Sequence, residues 1–163
     1  MHRNWILLAL GLSLGACDPA PEGGPDSHAF RPPLVTAQAF FDSIPPALAA
    51  EGPSAWLDFF EDSPSFFMAS DGAMAFPDRT SAQAFLDDFS HNVSAMSLEW
   101  IQPRFETLSA GVVVVIASYQ EILTMKDGAV SSFGGTVSGV IRTHAGAWRL
   151  QHLHWSSPIS TGG

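Results

Sequence analysis

The sequence predicts an α+β domain in which helices gathered on one side cover an antiparallel sheet. Three observations carry that prediction. Helix-periodic stretches, interrupted by prolines and a glycine, fill the first half of the chain; long β-rich runs separated by hairpin turns fill the second; and the two kinds of segment do not alternate as a parallel α/β fold would require. Residues 34–158 have the length of one domain.

Ahead of the domain, residues 1–16 place Arg3 before an apolar run from Trp5 to Leu14 and end on Gly15-Ala16. This is the layout of a secretory signal peptide, and the run is too short for a transmembrane helix. Leu14-Gly15-Ala16-Cys17 resembles the lipobox of bacterial lipoproteins, which implies cleavage before Cys17 and a lipid on its thiol. Cys17 is the chain's single cysteine, so no disulfide competes for it. Asp18 resembles the inner-membrane retention signal of enteric lipoproteins and implies the periplasmic face of that membrane. Residues 17–33 are dense in proline, glycine and acidic groups and read as a flexible tether, and 159–163 as a disordered tail.

The formal net charge is −9, and removal of the signal peptide leaves six Lys+Arg against sixteen Asp+Glu, or −10. Such a surface disfavours nucleic acid and anionic head groups, so the membrane partner is reached through the lipid on Cys17. No P-loop, dinucleotide fingerprint or cysteine-based metal motif occurs, and no cofactor is called for.

Within the domain, Thr36 can cap a helix through Asp42, Pro45-Pro46 break or restart it, and Pro53–Glu61 set Trp56, Phe59 and Phe60 on one helical face. Ser65–Ala69 and Ala73–Phe76 flank Ser70-Asp71-Gly72 as a short hairpin. Thr80-Ser81-Ala82-Gln83 reads as a capping box opening a helix striped by Phe85, Leu86, Phe89 and Val93. Strands follow at Met96–Glu106, Gly111–Met125 and Val130–Thr143, joined through Lys126-Asp127-Gly128 and then Ala145-Gly146 to a closing strand that begins at Ala147.

That closing strand carries the clustered titratable groups. Strict alternation puts Trp148, Leu150, His152, His154 and Ser156 on one face and Arg149, Gln151, Leu153 and Trp155 on the other. His152 and His154, about 6.5–7 Å apart, could serve as acid or base on one small ligand, with Glu121 or Asp71 as orienting carboxylate. Tyr119 and Glu121 share a face of the central strand, and register decides whether that face meets a pocket. A metal would need a third ligand, and neither His91 nor His144 converges on the pair, so no metal site is assigned. The aromatics Trp56, Phe60, Phe67, Phe76, Phe85, Phe89 and Trp148 are core residues by default, some of which would also form pocket wall suited to an apolar molecule. Leu153 and Trp155, if exposed, would mark a dimer surface.

Gly146, Trp148, Arg149, Leu150, His152, His154 and Ser156 match the closing-strand pattern of the NTF2-like superfamily, especially its SnoaL-like and DUF4440-like members, and the element order over residues 34–158 is similar to theirs. The resemblance implies an NTF2-like (cystatin-like) cone, with three N-terminal helices packed on a curved antiparallel sheet, a conical pocket, and often a homodimer through the sheet face. It does not choose between a binding module without chemistry and an isomerase, dehydratase or hydrolase using His152 or His154. No acid–base pair of the family's catalytic members aligns with this chain, which favours binding of a small apolar molecule or an envelope partner.

Overall fold

The computed structural model describes residues 34–158, and side chains from Thr36 onward. The expected signal peptide, the lipidated Cys17, the tether and the tail all lie outside these residues. Among the described residues no helix is long and apolar enough to cross a membrane.

The α+β cone is present. Its elements are α1 (Leu34–Asp42), α2 (Ile44–Glu51), a 3-10 turn at Pro53–Ala55 continued by α3 (Trp56–Phe59), β1 (Phe67–Ser70), β2 (Ala73–Phe76), α4 (Arg79–Ser90), β3 (Val93–Ser109), β4 (Val112–Met125), β5 (Val130–His144) and β6 (Ala147–Ser156). The strands form one sheet in the order β2-β1-β6-β5-β4-β3. Four of its five pairings are antiparallel and β1 runs parallel to β6, so the sheet is mixed, a correction to the antiparallel expectation. The cause lies in the segment leaving α3. Phe60 bridges Leu150 in parallel and the Glu61 N–H donates to the Leu150 carbonyl at 2.8 Å, so the chain already travels alongside β6 before β1 begins.

Local chemistry moves several boundaries. Pro45 and Pro46 sit in the first turn of α2, where a missing N–H breaks no helical hydrogen bond. Thr36 falls inside α1 and does not cap it. The Pro53–Glu61 stretch is helical only to Phe59, because Phe60 turns extended (φ −75°, ψ 141°) to enter the sheet. The capping box of α4 is built on Asp78, whose side chain accepts from the Ser81 N–H at 2.7 Å, not on Thr80; Val93 opens β3 and does not belong to the helix.

On the inner face of the sheet, α1 and α2 close one end of the cone. The Phe41 ring stacks on Trp100 at 4.4 Å and meets Phe105 edge-on at 5.7 Å, over a floor that includes Val115, Ile141 and Leu150. Bulges bend the sheet around these helices: one extra residue in β3 between Ile101 and Arg104, where Gln102 adopts φ 51°, and one in β6 at Gln151, between the pairs Ile141–Leu150 and Val140–His152. Glu61 is fully buried and meets Arg142 Nε at 3.3 Å and His144 Nδ1 at 3.2 Å. Its carboxylate thus has charged company where the chain crosses into the sheet.

Gly135 lies opposite Tyr119, and a Cβ there would run into the Ser156 carbonyl and come within 3.1 Å of the Tyr119 ring. Gly135→Ala should cost about 1–3 kcal/mol in chemical denaturation and disturb the fluorescence of the neighbouring Trp155. A wild-type denaturation midpoint would show that β6 gives way at no cost.

Candidate ligand cavity

The bulge at Gln151 decides what the closing strand presents. Because two β6 residues are spent on one β5 step, alternation restarts, and Leu153 and Trp155 fall on the same inner face as Leu150. His152 and His154 therefore turn to the outer face, correcting the face assignment made by strict alternation. The His152 ring stacks on Phe67 at 4.1 Å and its Nε2 lies 3.1 Å from the Ser65 carbonyl oxygen. Neither histidine lines the cavity, and neither do Phe67 and Trp148, whose indole N–H donates to Thr36 Oγ1 at 2.8 Å. Leu153 and Trp155, expected on the opposite face as a dimer surface, are buried and half-buried inside the cone.

Between the sheet, α3 and α4 the cone encloses an open cavity of about 340 Å³. Trp56 and Phe60 close it from the α3 side, Phe85, Leu86 and Phe89 from α4, and Phe76 from β2. The sheet contributes Met68 and Ser70 from β1, Met96 from β3, Tyr119, Glu121 and Leu123 from β4, Phe133 from β5, and Leu153 and Trp155 from β6. The aromatic walls brace one another: Phe85 packs on Phe76 at 5.3 Å and Phe89 at 5.4 Å, and Trp155 meets Tyr119 at 4.5 Å and Trp56 at 5.9 Å. Phe85 and Phe133 are about half exposed and form the rim. Six of the aromatic and polar residues singled out from the sequence, Trp56, Phe60, Phe76, Phe85, Phe89 and Tyr119, thus meet in one place, together with Glu121.

Three titratable side chains, Asp71, Tyr119 and Glu121, line this cavity, and their surroundings differ. The Asp71-Gly72 turn between β1 and β2 has both residues at positive φ (48° and 84°), the geometry of a tight two-residue hairpin. It carries the Asp71 carboxylate against the end of β6, where Oδ1 accepts from the Ser157 N–H at 2.7 Å and Oδ2 meets the Ser157 hydroxyl at 3.2 Å. The backbone bond from Ser157 holds the Asp71 carboxyl below its ordinary range, so it stays ionised. Burial pushes the Tyr119 phenol up, with the Ser157 side chain pulling the other way and the Glu121 and Asp71 charges adding to the rise. Glu121 has burial alone acting on it, which raises its carboxyl above the ordinary value near 4.5. It is flanked on its strand by Tyr119 and Leu123 and faces Leu98 and Phe133 on the neighbouring strands, none of which can neutralise it.

Sequence reasoning did not single out Ser157, Leu153, Trp155 or Phe133 for the cavity. Phe133 follows from its pairing with Glu121 once register is known; the others depend on the bulge, for which the sequence offers no signal.

The SnoaL-like domain family model matches residues 37–160 of the chain. No curated protein matches it in sequence. Among solved structures it is similar to an NTF2-like superfamily protein of Salmonella enterica serovar Typhimurium (TM-score 0.63, 18% identity, covering 78% of this chain and 91% of that one). It is similar also to the beta subunit of the benzoate 1,2-dioxygenase of Burkholderia mallei (TM-score 0.61, 19% identity, 77% and 91% covered). A third is the LinA-type3 hexachlorocyclohexane dehydrochlorinase of Novosphingobium barchaimii (TM-score 0.57, 11% identity, 74% and 82% covered). At these identities the likeness is one of fold.

A group whose folded pKa is raised adds stability below its unfolded pKa and loses it as pH rises through the folded value. Glu121 should therefore make the protein progressively less stable as pH climbs from about 4.5 toward neutral. Glu121→Gln should remove that component, so the Tm of the variant relative to wild type should be higher at pH 8 than at pH 4. A Tm difference independent of pH would mean that Glu121 is solvated in the folded protein.

Proposed function

The chain belongs to the SnoaL-like family, and from that premise we propose that it is a lipid-anchored module that binds a small apolar molecule in the cavity between α4 and the sheet. The cavity itself carries the reading. Protein interiors close to crystal-like density, and voids larger than a few waters are uncommon in domains of this size. Here about 340 Å³ stays open behind rings large enough to fill it. Its size, its apolar walls and its few converging polar groups suit a compact ligand. Anchoring rests on Leu14-Gly15-Ala16-Cys17 and on the tether that follows. The cell envelope is the compartment this implies, with the periplasmic face of the inner membrane following from Asp18. The outer face of the sheet exposes Ile116 and Ile122 on β4 and Phe67 on β1, which supports a homodimer through that face.

A second reading, acid–base chemistry on the bound molecule, is favoured by Glu121 beside Tyr119, and its residues differ from the His152 and His154 suggested by the sequence. Under it, 1-indanone, an apolar ketone, would exchange its α-protons in D₂O with the wild-type chain. Glu121→Gln would slow that exchange by at least about 100-fold. No exchange above the buffer rate leaves the binding reading alone.

The binding reading is checked by titrating the purified chain with naphthalene and following tryptophan fluorescence. Saturable quenching is expected, weakened about 3- to 10-fold by Phe133→Ala at the rim and unchanged by the double replacement His152→Gln, His154→Gln. Absence of saturable binding, or sensitivity to the two histidines and not to Phe133, would overturn it. Separately, Cys17→Ser should release the protein from the membrane fraction and abolish labelling with radioactive palmitate; retention of both would remove the anchor from the proposal.

A further inference from the structure

We infer that the ligand of this cavity is an apolar cation, an alkyl- or arylalkylamine whose ammonium group sits beside Glu121 within the aromatic wall. The inference rests on the reading of the cavity as a binding site and goes further by choosing the charge of what binds there. No lysine, arginine or histidine is among the residues lining the cavity, whereas two carboxyl groups are. Of these, Asp71 already accepts from Ser157 and Ser70 and contributes its charge from the cavity mouth. The Glu121 carboxyl makes no hydrogen bond with any described residue and opens onto the cavity.

Three ligand classes can be compared on that surface. An anion would meet two carboxyl groups and the negative faces of aromatic rings, with no positive group to receive it. A neutral hydrocarbon would fill the volume but strip water from Glu121 and give it no donor in return, which costs free energy for a buried polar group. An ammonium ion donates its N–H to Glu121 in a charge-assisted hydrogen bond, and its charge is attracted to the faces of rings such as Tyr119, Trp155 and Phe133. Its hydrocarbon part takes the apolar remainder, toward Met96, Leu123 and Leu153. The chain's net charge of −9 adds a long-range attraction of the same sign.

The test compares protonated N,N-dimethylbenzylamine with isobutylbenzene, which has the same skeleton with CH in place of NH⁺, and with phenylacetate, using the purified full-length chain and competition against naphthalene. The amine should bind at least about 10-fold tighter than isobutylbenzene, and phenylacetate at least about 10-fold more weakly than either. Glu121→Gln should reduce the amine-to-hydrocarbon affinity ratio by about 10-fold, whereas Phe133→Ala should weaken both ligands. Equal or tighter binding of isobutylbenzene, or a ratio unmoved in Glu121→Gln, overturns the inference and leaves the apolar-ligand reading standing. Failure of all three probes to displace naphthalene overturns the inference also, and failure of naphthalene itself to bind would sink both readings.

Discussion

The position of β6 between a parallel and an antiparallel neighbour is the constraint on which the rest depends. β5 holds it through nine register pairs and β1 through four, and the extra residue at Gln151 lies at the point where β1 takes over from the Phe60–Glu61 segment. Without the bulge, Leu153 and Trp155 would face outward and the histidines inward, and the cone would lose two of its walls while gaining two imidazoles. The bulge thus exchanges a polar floor for an apolar one. Asp71 completes the arrangement, because its bonds to Ser157 tie the hairpin turn to the end of β6 and fix Trp155 between them.

The treatment of the chain's inward-facing acids separates structural carboxylates from the one left available. Glu61, fully buried, is met by Arg142 and His144, as removal of a carboxylate from water requires. Asp71, exposed at the cavity mouth, has backbone and hydroxyl donors from Ser157 and stays ionised. Glu121 has neither kind of partner although β4 and its neighbours could have carried one: Leu98 and Phe133, directly across from it on either side, are both apolar. A carboxyl left in that state is costly to the fold, which is the pattern expected where a binding site keeps strain that a ligand relieves.

Much of the fold was legible because local chemistry and global topology agree. Asp71-Gly72 and Ala145-Gly146 announce tight turns, and both pairs adopt positive φ at both positions. The alternation of Tyr119, Glu121 and Leu123 on one face of β4 survived intact because β4 carries no bulge against β5. The parallel pairing of β1 was not legible, since a hairpin's sequence fixes its own partner and not the strand beside which it docks. The bulge at Gln151 was not legible either: its residue is neither glycine nor proline, and the disruption is imposed from outside, by the change of neighbour along β6. His152 and His154 were placed on the wrong face for that one reason, whereas Trp56, Phe85 and Phe89 reach the cavity wall from helices, where spacing does not depend on strand register.

The cavity persists because the two ends of the cone are packed by different means. At the closed end, flexible aliphatics such as Ile44, Leu48, Ile141 and Leu150 adapt around Phe41 and leave them fully buried. At the open end the wall is made of flat, stiff rings that spend their edges and faces on each other: Phe76, Phe85 and Phe89 in one run, Trp56, Trp155 and Tyr119 in another. Rings braced in this way cannot collapse inward without breaking contacts they already have, and the sheet beneath is held curved by bulges in β3 and β6. Collapse would also press Glu121 into hydrocarbon with no donor to meet it. Stiff walls and an acid without a protein partner therefore act together, each opposing the repacking that would otherwise close the cavity.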